Sequence, residues 1–94
     1  MSEVNNMVLI VQKENGDLCP CCGFRTFDDS SRGNYEICPV CYWEDDLNQE
    51  VDPNYEGGAN GISLSQAKKN YREIGAIKNE LVKLTREPLD NEIP

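Results

Sequence analysis

The sequence predicts a small α+β domain that is stapled by a bound metal ion. Three features predict it: two closely spaced cysteine pairs, a β-type segment that joins them, and an amphipathic helix that follows them. A chain of 94 residues forms one domain and buries a modest share of its surface, so its apolar core alone is marginal. A metal staple would supply the missing stability.

The cysteine pairs are Cys19 with Cys22 and Cys38 with Cys41, each of the form C-x-x-C, and fifteen residues separate the pairs. This spacing is typical of four-cysteine zinc sites. Four thiolates complete a tetrahedral ion and leave no open position, so the pattern predicts one structural Zn²⁺. Iron accepts the same ligands, and the alternative interpretation is that these are buried free cysteines.

Cys21 is the fifth cysteine, inside the first pair. We assign Cys22 as the ligand because Cys19-Pro-Cys-Cys22-Gly23 then parallels Cys38-Pro-Val-Cys41. Gly23 can adopt the positive φ that ends such a turn. Tyr42 follows the second pair, so the second turn must close with a bulky residue or end differently. Cys21 is then a small filler residue, and the sharper alternative is a reactive thiol.

Residues 24–27 and 35–37 are aromatic and β-branched, and a polar loop over 28–34 joins them. They predict a zinc-ribbon-like β-hairpin that runs from one cysteine pair to the other. A further strand is predicted over residues 7–12, before an Asn-Gly turn at 14–17.

Two C-terminal helices are predicted. Ser63 begins the first, whose Leu64, Ala67, Tyr71 and Ile74 lie on one face, and Gly75 ends or bends it. The second covers about 77–84. We expect a single domain over residues 1–88, with a motif core over 19–76, and a frayed tail over 89–94.

A polar stretch without predicted structure covers residues 44–61. Its acidic residues could bind a second, hard cation, but a solvated acidic loop is the favoured interpretation because calcium-loop spacing is absent; they are Glu44, Asp45, Asp46 and Asp52. The glycines over 57–61 indicate tight turns before the helix. Tyr42 and Trp43 are expected in the core, with an exposed recognition pair as the alternative.

Several strings in order, CPCCGFRTF, YEICPVCYWEDD and QEVDPNYEGGANGISLSQAKKNYREIGA, resemble the bacterial cysteine-rich CPCC domain family. The resemblance covers residues 19–76 and extends more loosely to 88. It implies a small domain with a zinc-ribbon or rubredoxin-like knuckle site. It implies little about activity.

Charge and composition restrict the function further. The formal charge is -8, which disfavours nucleic acid as a partner and favours a protein with a basic surface. Neither a signal sequence nor a membrane span is recognisable, and an odd cysteine count suits metal binding in the cytoplasm. The chain has no histidine, so we expect no enzyme.

We therefore expect a zinc-stabilised protein-interaction module, with an immunity-type protein against a basic toxin as the sharper hypothesis. The alternative is a redox or metal-handling protein that uses an iron-loaded site or Cys21.

Overall fold

The computed structural model of the chain describes residues 16–94. Within this range it has two α-helices, α1 (Leu47–Val51) and α2 (Leu64–Ile74). Short 3₁₀ helices cover Asp29–Ser31, Asn79–Leu84 and Asp90–Glu92. The predicted strand over 7–12 and most of the predicted turn over 14–17 lie outside the described residues.

The β-structure of the described residues is limited to two isolated antiparallel bridges, Asp17 with Phe27 and Ile37 with Glu44. Each bridge flanks one cysteine pair, so each pair lies at the tip of its own small loop. The predicted pairing of 24–27 with 35–37 is therefore wrong. The second segment pairs instead with the chain that follows Cys41, because the short turn brings those residues together first; Cys38 N–H donates to the Trp43 carbonyl at 2.9 Å.

Helix α1 was not predicted, and polar side chains hold it in place. The Asp46 carboxylate caps it by accepting from the amides of Asn48 and Gln49. The Gln49 amide is fully buried and donates to the carbonyls of Tyr55 and Ile62. The Asn60 side chain donates to Gln49 and bonds both backbone groups of Glu44. The stretch over 44–61 is thus tied down by its own side chains.

Helix α2 confirms the sequence-based prediction at both ends. The Ser63 hydroxyl accepts from the Gln66 amide at 3.1 Å, and Gly75 ends the helix with φ of 85°. The predicted second helix is corrected to a shorter 3₁₀ helix, Asn79–Leu84, in which no residue is buried. A segment that buries no apolar stripe has little to stabilise a longer α-helix.

The expected fraying of the tail is wrong as far as Glu92. The carboxylate of Glu92 is fully buried and receives two hydrogen bonds from Arg86, each 2.9 Å long. The backbone carbonyl of Glu92 accepts a hydrogen bond from the Arg25 amide at 2.7 Å. The end of the chain is therefore attached to the loop that carries the first cysteine pair.

The core combines the cysteines with buried apolar side chains from residues 27–77: Phe27, Val40, Trp43, Leu64, Ala67 and Ile77. Trp43 is fully buried, as expected, while Tyr42 is half-buried. No helix in the described range is long and apolar enough to cross a bilayer.

Candidate metal centre

Four sulfur atoms converge at the centre of the core. Those of Cys19, Cys22, Cys38 and Cys41 all lie within 4.8 Å of one another. Cys19 and Cys41 are 3.6 Å apart, and Cys22 and Cys38 are 3.7 Å apart. A tetrahedral ion with zinc–sulfur bonds of about 2.3 Å places its ligands about 3.8 Å apart. The cluster therefore has the size of a four-thiolate metal site, and its cysteines are free of disulfides.

Each pair is positioned by a tight turn of the same construction. The amide of Gly23 donates to the carbonyl of Cys19, and the amide of Tyr42 donates to the carbonyl of Cys38, both at 2.8 Å. Gly23 and Tyr42 both have positive φ, 84° and 75°. Glycine adopts this conformation freely, whereas tyrosine does so at a cost. The second turn thus keeps the geometry of the first despite a bulky residue.

The electrostatics of the cluster favour a bound cation. Burial raises the pKa of the Cys19 thiol. Hydrogen bonds with the neighbouring cysteines, first with Cys19, raise the pKa of Cys41 and lower that of Cys38. Burial and the closeness of the four sulfurs thus oppose the accumulation of negative charge in the cluster. Several thiolates can coexist there only when a positive ion compensates their charge.

Thr26 is a further member of the site that the sequence analysis missed. Its hydroxyl donates to the Cys38 sulfur at 3.0 Å, and its side chain is buried. This bond stabilises the thiolate form of Cys38 and orients it, which is the usual role of groups behind the metal ligands. The only sequence signal for it is a hydroxyl residue directly before Phe27, the residue whose bridge to Asp17 closes the first loop.

Cys21 stays outside the group of four. It is buried, with 8% of its surface exposed, and belongs to the core cluster. Its position agrees with the filler interpretation. Cys22, by contrast, is half-buried and lies in the group of four.

The C-terminal half of the chain closes over the cysteine loops. The amide of Ile77 donates to the carbonyl of Cys41 at 3.0 Å, and the amide of Arg86 donates to that of Pro39 at 3.1 Å. With the bond from Arg25 to Glu92, the C-terminal half of the chain contacts both loops. The sequence carries no local pattern for these contacts, since they join residues that are far apart in the chain.

Among the described residues, the acidic side chains of 44–52 are not grouped as a second cation site. Within the described residues the four cysteines are the group of side chains that could hold a metal ion. Asp45 is fully buried and pairs with Arg32 at 2.8 Å, whereas Asp46 caps α1. The solvated-loop interpretation is therefore also wrong for these two residues.

Arg32 organises the carboxylates around Asp45. It also contacts Asp17 and Glu50, each at 2.6 Å. Burial is the largest influence and opposes the charge of Asp45, but the hydrogen bonds with Arg32, Glu50 and the Gly33 amide, together with the charge of Arg32, outweigh it and lower the pKa of Asp45 to about 2. Burial, with the adjacent Asp45, raises the pKa of Glu50 to about 7.

The sequence was compared with models of known protein families. A model of the cysteine-rich CPCC family matches residues 18–92. The chain belongs to the cysteine-rich CPCC family. In this CPCC domain the match includes both cysteine pairs, α1, α2 and the C-terminal segment as far as Glu92. A search of curated proteins gave no match.

Proposed function

We propose that this CPCC domain binds one structural Zn²⁺ through Cys19, Cys22, Cys38 and Cys41 and that it has no enzymatic activity. The separation of the sulfur atoms carries the proposal, because 3.6 and 3.7 Å are close to the edges of a zinc–thiolate tetrahedron, about 3.8 Å. Four protein ligands fill the coordination shell. A catalytic zinc would instead keep a position for water or substrate.

The burial of the ligands supports a structural rather than a metal-handling role. Cys19, Cys38 and Cys41 are fully buried, so a bound ion would exchange only when the domain opens. Because the sulfurs lie at the centre of the core, metal binding and folding share one free energy. Iron is the alternative ion, since thiolates bind it as well, and it would give the site a redox function.

We further propose that the stapled domain acts in the cytoplasm as a protein-interaction module with a basic partner. The net charge of -8 supports this, since opposite charge accelerates and selects association. An immunity-type protein that neutralises a basic toxin is one form of such a module. Nucleic acids and anionic membranes are disfavoured as partners by the same charge.

The test is the metal content of purified protein, measured by mass spectrometry of the metals together with near-ultraviolet circular dichroism. We expect about one zinc per chain and a colourless protein. Complete zinc removal by a chelator should abolish the near-ultraviolet signal of buried Trp43. A stoichiometric content of iron, or a signal that survives metal removal, contradicts the proposal.

Cys22→Ser and Cys21→Ser form a matched pair of variants in the same turn. Cys22→Ser removes one of the four converging sulfurs and should reproduce the effect of chelation. Cys21→Ser changes the same atom type in a buried position outside that group and should retain zinc. Equal loss of zinc in both variants would show that the ligand assignment is wrong.

A further inference from the structure

Helix α1 has an inverted distribution of side chains. Its one buried residue is Gln49, whereas Leu47 is 48% exposed and Val51 is 85% exposed. Leu47 and Val51 are four residues apart and share one side of the helix. A surface helix normally turns its apolar side chains inward and its polar ones outward. A single exposed leucine needs no explanation, but a helix that reverses the rule does.

The helix is held rigidly although it buries no apolar side chain of its own. A helix of five residues is unstable alone. Here the Asp46 cap accepts from the Ala59 amide as well, at 2.9 Å, and Gln49 is bonded to Asn60. Gly33 also packs against it, since a Cβ there would lie 2.8 Å from the Leu47 side chain. The polar network therefore presents Val51 to the outside in a fixed orientation.

Further apolar and acidic side chains continue this surface. Tyr55 follows the helix and is 44% exposed, and Asp52 and Glu56 are exposed beside it. We define the α1 face as Leu47, Val51, Asp52, Tyr55 and Glu56. A rigid aliphatic and aromatic centre with a charged rim is the composition of a protein-binding surface.

The charge around the α1 face selects the occupant. Residues 33–67 contain seven acidic residues and neither lysine nor arginine, and all of the seven except the buried Asp45 and Asp46 are at least partly exposed. Arg32 contacts Glu50, but three carboxylates already surround it. A second copy of this chain would bring like charges together, and nucleic acids and anionic lipids carry the same sign. A protein segment in which lysine or arginine flanks apolar side chains complements both the charge and the apolar centre.

We infer that the α1 face is the docking surface of this domain for a basic protein segment with apolar anchor residues. The inference deepens the proposed interaction function and requires the metal-stapled domain to be folded. Because α1 is fixed before binding, little conformational entropy is lost when the partner docks. Apolar contact at Val51 supplies affinity, and the acidic rim supplies selectivity and a faster association rate.

The experiment is selection from a random library of 12-residue peptides on the zinc-loaded domain. We expect the selected peptides to be enriched in lysine or arginine together with leucine, isoleucine or aromatic residues. Their amide shift perturbations, measured by nuclear magnetic resonance on the domain, should centre on α1. Peptides that are neutral or acidic, or that perturb a different surface, would overturn the inference.

Matched variants separate this surface from general charge attraction. Val51→Ser should weaken the selected peptides about tenfold, whereas Ile93→Ser, at a position 54% exposed, should leave binding unchanged. The double variant Asp52→Asn/Glu56→Gln should weaken binding more than Glu80→Gln/Asp90→Asn, which removes the same charge from exposed positions elsewhere. Equal effects within each comparison would overturn the inference.

Zinc content and circular dichroism of each sample distinguish the two proposals. A zinc-loaded, folded domain that selects no peptide refutes the docking surface and leaves the structural zinc site intact. A domain that lacks zinc refutes the proposed metal function, whatever it binds. Binding of duplex DNA or of vesicles rich in phosphatidylserine at the α1 face would show that the occupant is wrong.

Discussion

Replacement of Arg32 by methionine tests the largest ion-pair cluster that the structure describes. Arg32 bonds Asp45 through two nitrogens, at 2.8 and 3.0 Å. The side chain of Asp45 is fully buried, whereas that of Arg32 is 23% exposed. Methionine retains most of the aliphatic packing but leaves the carboxylate without its cation.

The expected loss of stability in Arg32→Met depends on which contacts of Arg32 are buried. Removing one partner of a buried ion pair costs about 3–5 kcal/mol. The Asp17 contact adds little because Asp17 is 45% exposed. The Gly33 amide still donates to Asp45 at 2.7 Å, which offsets part of the loss. Arg32 also lies 5.3 Å from the centroid of the Phe27 ring, and that contact is lost. We therefore expect destabilisation by about 3 kcal/mol.

The assay is urea unfolding at neutral pH and a fixed concentration of free zinc, since ligand concentration changes apparent stability. Arg72→Met is the control because it removes the same charge from an exposed position near the end of α2, where we expect a cost below about 0.5 kcal/mol. If Arg32→Met and Arg72→Met unfold within about 1 kcal/mol of each other, the assigned role of Arg32 is refuted.

Three further predictions concern single positions. The pKa of Glu50 is raised to about 7, so its protonated form stabilises the fold at low pH and that contribution is lost as pH rises through about 7. Between about pH 5.5 and 8, the free energy of unfolding of the wild type in urea should fall by about 1–2 kcal/mol relative to that of Glu50→Gln. A difference between the two proteins that does not change with pH would refute the raised pKa. A Cβ at Gly58 would lie 2.5 Å from the helix cap and the buried glutamine, so Gly58→Ala should cost about 2–3 kcal/mol. In the control Gly23→Ala, the added Cβ would have no atom within 4 Å, and only the φ of +84° opposes the change; we expect a cost of about 1 kcal/mol. Equal urea midpoints for Gly58→Ala and Gly23→Ala would contradict the packing argument. Glu92→Gln should destabilise by about 2 kcal/mol in thermal unfolding because it breaks a buried ion pair, whereas the exposed Glu87→Gln should be neutral; equal effects would argue against the C-terminal attachment.

The sequence-based predictions were accurate mainly where the stabilising interactions join residues that are close in sequence. The four cysteines are brought together by two turns, each closed within a few residues, and spacing alone predicts such turns. Helix α2 has its cap at Ser63 and its end at Gly75, both readable from neighbouring residues. The grouping of the cysteines and the position of α2 were therefore predictable.

Some of the failed predictions depended on contacts between distant residues, whereas others overlooked signals between neighbouring residues. Helix α1 is held by the bond from Asn60 to Gln49, although Asp46, three residues before Gln49, is a local capping signal for this helix. The predicted hairpin overlooked the local bridge from Ile37 to Glu44. The tail was expected to fray because nothing near Glu92 in sequence shows that its backbone reaches Arg25.

The most direct test of the four-thiolate zinc site is X-ray absorption spectroscopy at the zinc edge on the purified protein. A closed four-thiolate site should give a single shell of four sulfur scatterers at about 2.3 Å, unchanged in Cys21→Ser. A shell that contains nitrogen or oxygen, or fewer than four sulfurs, would contradict the assignment of Cys19, Cys22, Cys38 and Cys41 as a closed structural site.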